Sequence, residues 1–423
     1  MIRNLSPHGL STIVVLFLVI LYLAAPLDFV YASFSGLWSL VAFLIFSLIS
    51  IVFVNWRGMN LICISTMPPL SERVYFIYRV CLSLALFGIV IRFFDFLVLR
   101  GLDFSDGVVG ARLALQGLTY SSSSEASAAG GISAIGAIFY GFCFPVTMIY
   151  IVYLNEISER FKWSSIVVMI APIIDSLLNA GIMGAAFTFL YICFAFLYRW
   201  HLFDVVFSFK RIVPVIVLGF GTLYIGAELF SSRVELMFGD IETYFYHSQG
   251  LLKPNRFFMD LMELPIIGGL AFSFYWLSSY LLQGYSEFSF LLDNFKGDFL
   301  YGFKQFFVIN KFFSVIGVME FNAFELTLAN PRPGRYQTAL GDVYMDFGVY
   351  GLVIQPALFA LASAYFYIRR IEGSLGAAIV YPFIQASIVM APLINTLSGA
   401  RMYSLVACLI VMVMINFTLR KGF

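Results

Sequence analysis

The chain has 423 residues, 61% of them hydrophobic and only 12% charged, with a net charge of +1. Soluble domains carry about 25% charged residues, so this composition excludes a water-soluble globular protein. The near-neutral balance offers no basic surface for nucleic acid.

Nearly uncharged runs at 11–32, 37–54 and 403–417 approach the roughly 20 residues that a bilayer-crossing helix needs. In lipid only helices and closed barrels satisfy their own backbone, and continuous apolar runs exclude the alternation of barrel strands. The pattern predicts an all-α integral membrane protein of about ten transmembrane helices, near 11–32, 35–54, 76–99, 131–154, 164–180, 182–200, 212–229, 343–367, 375–398 and 402–418. The first run is long and lacks a small-residue cleavage site after it, so it reads as a retained span. Three regions follow: N-terminal helices over 1–229, a large, partly helical loop region over 230–342, and C-terminal helices over 343–423. The five cysteines lie in or beside apolar segments without zinc-like spacing and read as small buried side chains.

Short loops on one side hold thirteen Lys and Arg residues, among them Arg57, Arg73, Arg160, Lys162, Arg369 and Arg370. Those on the other side hold three, Arg100, Arg112 and Arg401. By the positive-inside rule both termini are cytoplasmic, and 100–130 and 230–342 face outward. Residues 264–283 are apolar enough to span, yet a single crossing there would place Arg369 and Arg370 outside. Either this stretch is re-entrant or interfacial, or 299–318 also crosses. Pro265 and Gly268-Gly269 favour a broken, re-entrant helix. The aromatic residues scattered through the outward region suit amphipathic helices at the interface, covering a lipid-lined cavity.

Two clusters carry candidate chemistry. In Ile91-Arg-Phe-Phe-Asp-Phe-Leu-Val-Leu-Arg-Gly101, Arg92 and Asp95 are three apart and are expected to pair on one helical face. Charges at membrane depth are costly, so the pair either locks helices together or serves function. Arg100 and Arg112 follow on the outer side. The second cluster, Asn330-Pro-Arg-Pro-Gly-Arg335, presents Arg332 and Arg335 in a constrained loop, and arginine's planar fork suits a phosphate or pyrophosphate. Gly341, Gly348 and Gly351 beyond it are expected to allow close helix packing. Weaker candidates are Arg256 and Arg233, Arg401 in a tight outer turn, Asp175 close to Asn179 inside a span, and His247, the outer histidine. The sequence has no Asp-x-Asp, P-loop, His-Glu-x-x-His or Gly-x-Ser-x-Gly motif. No metal or cofactor is therefore expected, and substrate energy must arrive in a lipid-linked pyrophosphate or an ion gradient.

At these clusters the chain resembles the Wzy-type O-antigen or oligosaccharide repeat-unit polymerases. The resemblance rests on Arg92-x-x-Asp95 with Arg100-Gly101 and Arg112, on Tyr280-Leu-Leu-Gln-Gly-Tyr285, and on Tyr336-Gln-Thr338 with Asp346-Phe-Gly-Val-Tyr-Gly351. Two departures stand against it. Gly181-Ile-Met-Gly184 replaces a Gly-Ser-Arg-like turn, and the Arg-x10-Gly pattern of some members is missing from both outer regions.

The resemblance implies a metal-independent inverting glycosyltransferase of the membrane-embedded, GT-C-like kind, in a bacterial inner membrane with its site facing the periplasm. It would transfer an undecaprenyl-pyrophosphate-linked glycan onto an undecaprenyl-pyrophosphate-linked repeat unit, in lipopolysaccharide or capsule biosynthesis, with a chain-length regulator as a protein partner. Arg332, Arg335, Arg100 and Arg112 would stabilise the leaving pyrophosphate. His247 or a carboxylate would take the acceptor proton. Arg92, Asp95, Arg256, Arg401, Tyr336 and Asp346 would contact substrate. O-antigen ligase is the nearest alternative. A lipid-linked oligosaccharide flippase or secondary transporter is another, though the chain has no detectable internal repeat.

Overall fold

The structure, a computed structural model, describes residues 6–25, 27–31, 33–58, 69–99, 101, 105, 107, 110, 125–178, 182–202, 251–264, 268–315, 317–320, 326, 328–332, 338–399 and 401–420. Among them, α1 (Pro7–Ala24), α2 (Trp38–Gly58), α3 (Glu72–Phe94), α4 (Glu125–Tyr140), α5 (Cys143–Val152), α6 (Glu159–Leu178) and α7 (Ile182–Leu202) form the first half. The second half holds α8 (Arg256–Met262), α9 (Gly268–Asn294), α10 (Phe307–Val315), α11 (Ala339–Ile371), α12 (Leu375–Met390) and α13 (Arg401–Arg420). Two three-residue strands, β1 (Leu27–Phe29) and β2 (Leu252–Pro254), pair antiparallel with Leu27 opposite Pro254.

Among the described residues, seven helical segments are long and apolar enough to cross a membrane: Pro7–Ala24, Phe34–Arg57, Glu72–Leu99, Ala134–Val152, Glu159–Leu178, Ala339–Ile371 and Arg401–Leu419. Two shorter apolar helices, Met183–Arg199 and Leu375–Met390, coincide with the expected spans 182–200 and 375–398. The expected span 212–229 lies outside the described residues. The chain is thus an all-α, membrane-embedded protein.

All ten residues of α5 and nearly all of α12 are buried, so these two helices form the middle of the bundle. Lipid offers no hydrophobic drive between helices, and small residues such as Gly376, Ala377, Ala378, Ala386 and Ser387 let neighbours approach α12 closely. Around them α1, α2 and α11 turn many large apolar side chains outward, among them Leu23 at 78% and Leu44 at 60% exposure, as expected of a lipid-facing belt.

The helices define two ends. One carries the basic residues. There Arg199 donates to the Ile151 and Val152 carbonyls, both at 2.6 Å, closing the C-terminus of α5. Arg370 is 6% exposed and lies among the rings of Tyr198, Tyr367 and Tyr381. These two cations are therefore internal braces and not loop charges. The opposite end, where α1 finishes and α11 and α13 begin, carries the β1–β2 pair and the described parts of 251–332.

The stretch 264–283 differs from expectation. Gly268 and Gly269 open α9, which then continues unbroken for 27 residues, about 40 Å of helix. The helix is not broken, and it is not among the segments apolar enough to cross. It lies over the loop-bearing end. Phe272, Tyr275 and Trp276 pack on Leu27 and Leu252, Ser35 donates to the Ser289 carbonyl, and Tyr31 donates to Asp293 at 2.6 Å. That hydroxyl holds the Asp293 carboxyl below the usual carboxylate range.

Candidate functional site

Two polar clusters sit at the loop-bearing end. The first is built on α11. Thr338 caps it, accepting the Gly341 N–H at 3.1 Å, and Asp342 occupies its first turn. One oxygen of Asp342, Oδ2, accepts from Asn395 Nδ2 at 3.2 Å and Ser398 Oγ at 3.3 Å. The other, Oδ1, faces Lys304 Nζ at 3.5 Å. Asn395 and Ser398 reach this position because α12 stops at Met390, eight residues before the expected end of its span. Pro392 has no N–H to continue the helix and disfavours the α conformation at Ala391. The released turn is pinned to α11 by the Ala339 N–H on the Ala391 carbonyl, 3.1 Å.

One turn further along α11, Asp346 is completely buried. Its two oxygens accept the N–H groups of Lys304 at 3.1 Å and Gln305 at 2.8 Å. Gly348 then breaks the helix with φ 61° and ψ −151°. The carbonyls of Met345 and Asp346, freed by the break, accept the Leu300 and Tyr301 N–H groups. Gln355 in the second half of α11 donates to Gln305 at 2.9 Å. Segment 299–306 is thus threaded onto the kink, and Asp346 is the side chain that fixes it there.

Arg332 lies beside Glu287 of α9, Nε to Oε2 3.5 Å, with its guanidinium over the Phe290 ring at 5.4 Å. Asn330 Oδ1 accepts its backbone N–H at 3.1 Å. Within two turns of Glu287, Leu281, Leu282, Tyr285 and Phe288 wall an apolar cavity of about 280 Å³, completed by Val15, Leu18 and Tyr22 of α1, Leu40 and Phe43 of α2, and Thr338 and Leu340. A smaller cavity of about 70 Å³ shares Phe43, Leu340 and Ala391 with it and reaches Asn395 and Gln355. α9 rests directly on the Pro392 turn: a Cβ at Gly284 would stand 2.1 Å from the Pro392 carbonyl oxygen.

The second cluster lies between helices of the bundle. Arg92 does not pair with Asp95. Its Nε is 2.9 Å from Oδ1 of Asp175 on α6, and its guanidinium lies over the rings of Phe96 and Tyr140. The winding changes from α to π at Asp95, so the i, i+3 relation of a straight helix does not carry across that point. Asp95 itself is completely buried. Arg401 opens α13 with Nη2 3.8 Å from where a Cβ on Gly184 would stand, beside Ser176. The 391–401 turn therefore touches both clusters.

Of the sequence candidates, Arg332 and Asp346 belong to the first cluster, and Arg92, Asp95, Asp175 and Arg401 to the second. Arg256 is exposed at the start of α8, away from the ion pairs described. Arg100, Arg112, Arg233, Arg335, Tyr336, His247 and Asn179 lie outside the described residues. Sequence reasoning missed Glu287, Lys304, Asp342, Asn395 and Ser398. Ala391-Pro392 was the available signal for Asn395 and Ser398. Among the described residues no group of His, Cys, Asp and Glu is arranged to hold a metal ion. Comparison of the chain with protein-family models, with curated proteins and with solved structures found no match.

Proposed function

We propose that this chain is a Wzy-type polymerase, transferring a polyprenyl-pyrophosphate-linked glycan onto a second lipid-linked repeat unit. The observation that carries the reading is the 280 Å³ apolar cavity lined by Tyr285, Phe288, Thr338 and Leu340, whose near neighbours on the same two helices, Glu287 and Asp342, pair with Arg332 and Lys304. An apolar cavity suits a lipid tail, and arginine suits the pyrophosphate whose charge grows as the anomeric bond breaks. The proposal includes ten spans, with 212–229 as the crossing between α7 and β2, cytoplasmic termini, and the site facing the periplasm of a bacterial inner membrane.

Purified protein given lipid-linked repeat units as its sole substrate should build a ladder of longer chains. Product that appears only when a lipid A core acceptor is added points to a ligase, and translocation without new bonds points to a flippase. Either outcome refutes the polymerase reading. Within the reading, Arg332→Ala at normal protein abundance should lower the rate about 10²–10³-fold. Arg332→Lys should also be impaired, because an ammonium cannot reproduce the planar fork.

A further inference from the structure

An acceptor hydroxyl must lose its proton as it attacks, and the described carboxylates of the two clusters differ sharply in their freedom to take one. Asp346 is enclosed, with both oxygens committed to backbone N–H groups. Asp95 is completely buried between helices, and Asp175 is bound directly to Arg92 at 2.9 Å. Glu287 is held by Arg332, the residue proposed for the pyrophosphate. Asp342 alone of these combines partial exposure, an ordered setting and an oxygen with spare capacity. Its side chain is 14% exposed, and Oδ2 takes both neutral donors while Oδ1 has only the ammonium at 3.5 Å. A carboxylate oxygen accepts two hydrogen bonds, so Oδ1 can receive a hydroxyl.

The orientation of the clamp is fixed without ambiguity. Asn395 Oδ1 accepts the Leu397 N–H at 3.0 Å, so Nδ2 must be the atom facing Asp342. Asn395 is 6% exposed. Leu340 and Val343, on either side of Asp342, line the cavities.

We infer that Asp342 is the general base of the proposed glycosyl transfer, an inference that rests on the polymerase reading. The acceptor O–H proton passes to Asp342 Oδ1 as the oxygen bonds to the donor anomeric carbon. The bond from that carbon to the pyrophosphate oxygen breaks, and its electron pair leaves with the polyprenyl pyrophosphate. The proton then passes to water. Asn395 and Ser398 are positioning residues that hold Oδ2, and Lys304 faces Oδ1.

The test uses the full-length protein and purified lipid-linked repeat units. Asp342→Asn is nearly isosteric and should lower the rate about 10²–10⁴-fold at normal abundance. In Asp342→Ala, added formate should restore part of the activity. Asn395→Ala releases the carboxylate from its clamp and should lower kcat with KM little changed. Among the described residues the other charged groups facing Asp342 are Lys304 and Asp346, and both are unaltered in that variant. Asp342→Asn within a few-fold of the parent, or an unchanged kcat in Asn395→Ala, overturns the assignment while leaving the polymerase standing. If Asp342→Asn does not accumulate, the kcat of Asn395→Ala decides. A parent protein that makes no polymer removes the polymerase reading and the base with it.

Discussion

Arg92 and Asp175 illustrate what a residue-level argument can reach and where it stops. Each is visible in the sequence as a charge inside an apolar run, and such charges are costly in lipid unless partnered. Helical spacing offers Asp95 as the partner, because a single helix supplies neighbours three and four residues away and Asp95 is the acidic one among them. The actual partner comes from α6, 83 positions away, and depends on how α3 crosses that helix. With side chains 22% and 12% exposed, the pair is largely shielded from water. Removing one partner of such a pair leaves an uncompensated charge, which typically costs about 3–5 kcal/mol. Asp175→Leu alone should therefore reduce protein abundance and thermal stability. Arg92→Met combined with Asp175→Leu should recover most of both. Arg92→Met combined with Asp95→Leu should not, since it takes Arg92 away from Asp175. Quantifying the three variants by immunoblot and thermal unfolding in detergent checks the partner assignment, and recovery in the Asp95 combination would refute it.

At the scale of elements, composition located the helices but not their interruptions. Asp346-Phe-Gly348 reads in sequence as part of a signature, with its glycines expected to serve helix packing. In the fold Gly348 instead breaks α11, at φ and ψ values that side chains with a Cβ essentially never adopt. The Phe299 ring also stands 2.8 Å from where a Cβ would be. The backbone groups freed by the break find partners in 300–305, so the kink is satisfied rather than frayed. A similar reason governs α12, whose apolar run continues past Met390 while Pro392 ends the helix. Hydropathy sees only the run, whereas the break depends on a missing N–H. Gly348→Ala should destabilise the protein by about 1–3 kcal/mol from backbone strain alone. Adding Phe299→Ala should relieve the contact but not the strain. Thermal unfolding of both variants measures this, and an unchanged midpoint in Gly348→Ala would mean that α11 runs straight. Asp346→Ala leaves two buried N–H groups unmet, at roughly 1–3 kcal/mol each. It should lower stability more than Asp346→Asn, whose amide oxygen still accepts.

For the whole molecule, charge asymmetry and apolar length made the membrane class legible from sequence, while the placement of α9 was beyond their reach. A 27-residue helix is long enough to cross a bilayer, and length alone cannot separate crossing from lying flat. What separates them is which ends of the other helices it touches, and these contacts all belong to one end. Single cysteines give the test. Asp260 precedes α9 and is exposed, Val318 follows α10 at 67% exposure, and Glu159 marks the basic end with a side chain 86% exposed. Cys81, Cys143 and Cys408 are buried and Cys193 is half-buried, so replacing Cys63 with serine is expected to leave little background. An impermeant maleimide applied to intact spheroplasts should label Asp260→Cys and Val318→Cys alike, and Glu159→Cys only after permeabilisation. Labelling of Asp260→Cys without Val318→Cys would mean that the chain crosses between them. The Lys304–Asp342 and Arg332–Glu287 pairs could not then both stand at one face of the membrane. Labelling of Glu159→Cys alone would invert the protein and put both pairs in the cytoplasm, where a periplasmic polymerase has no use for them. Equal labelling of the first two thus tests the fold and the proposed site together, because both require α9 to lie over the bundle as a cover.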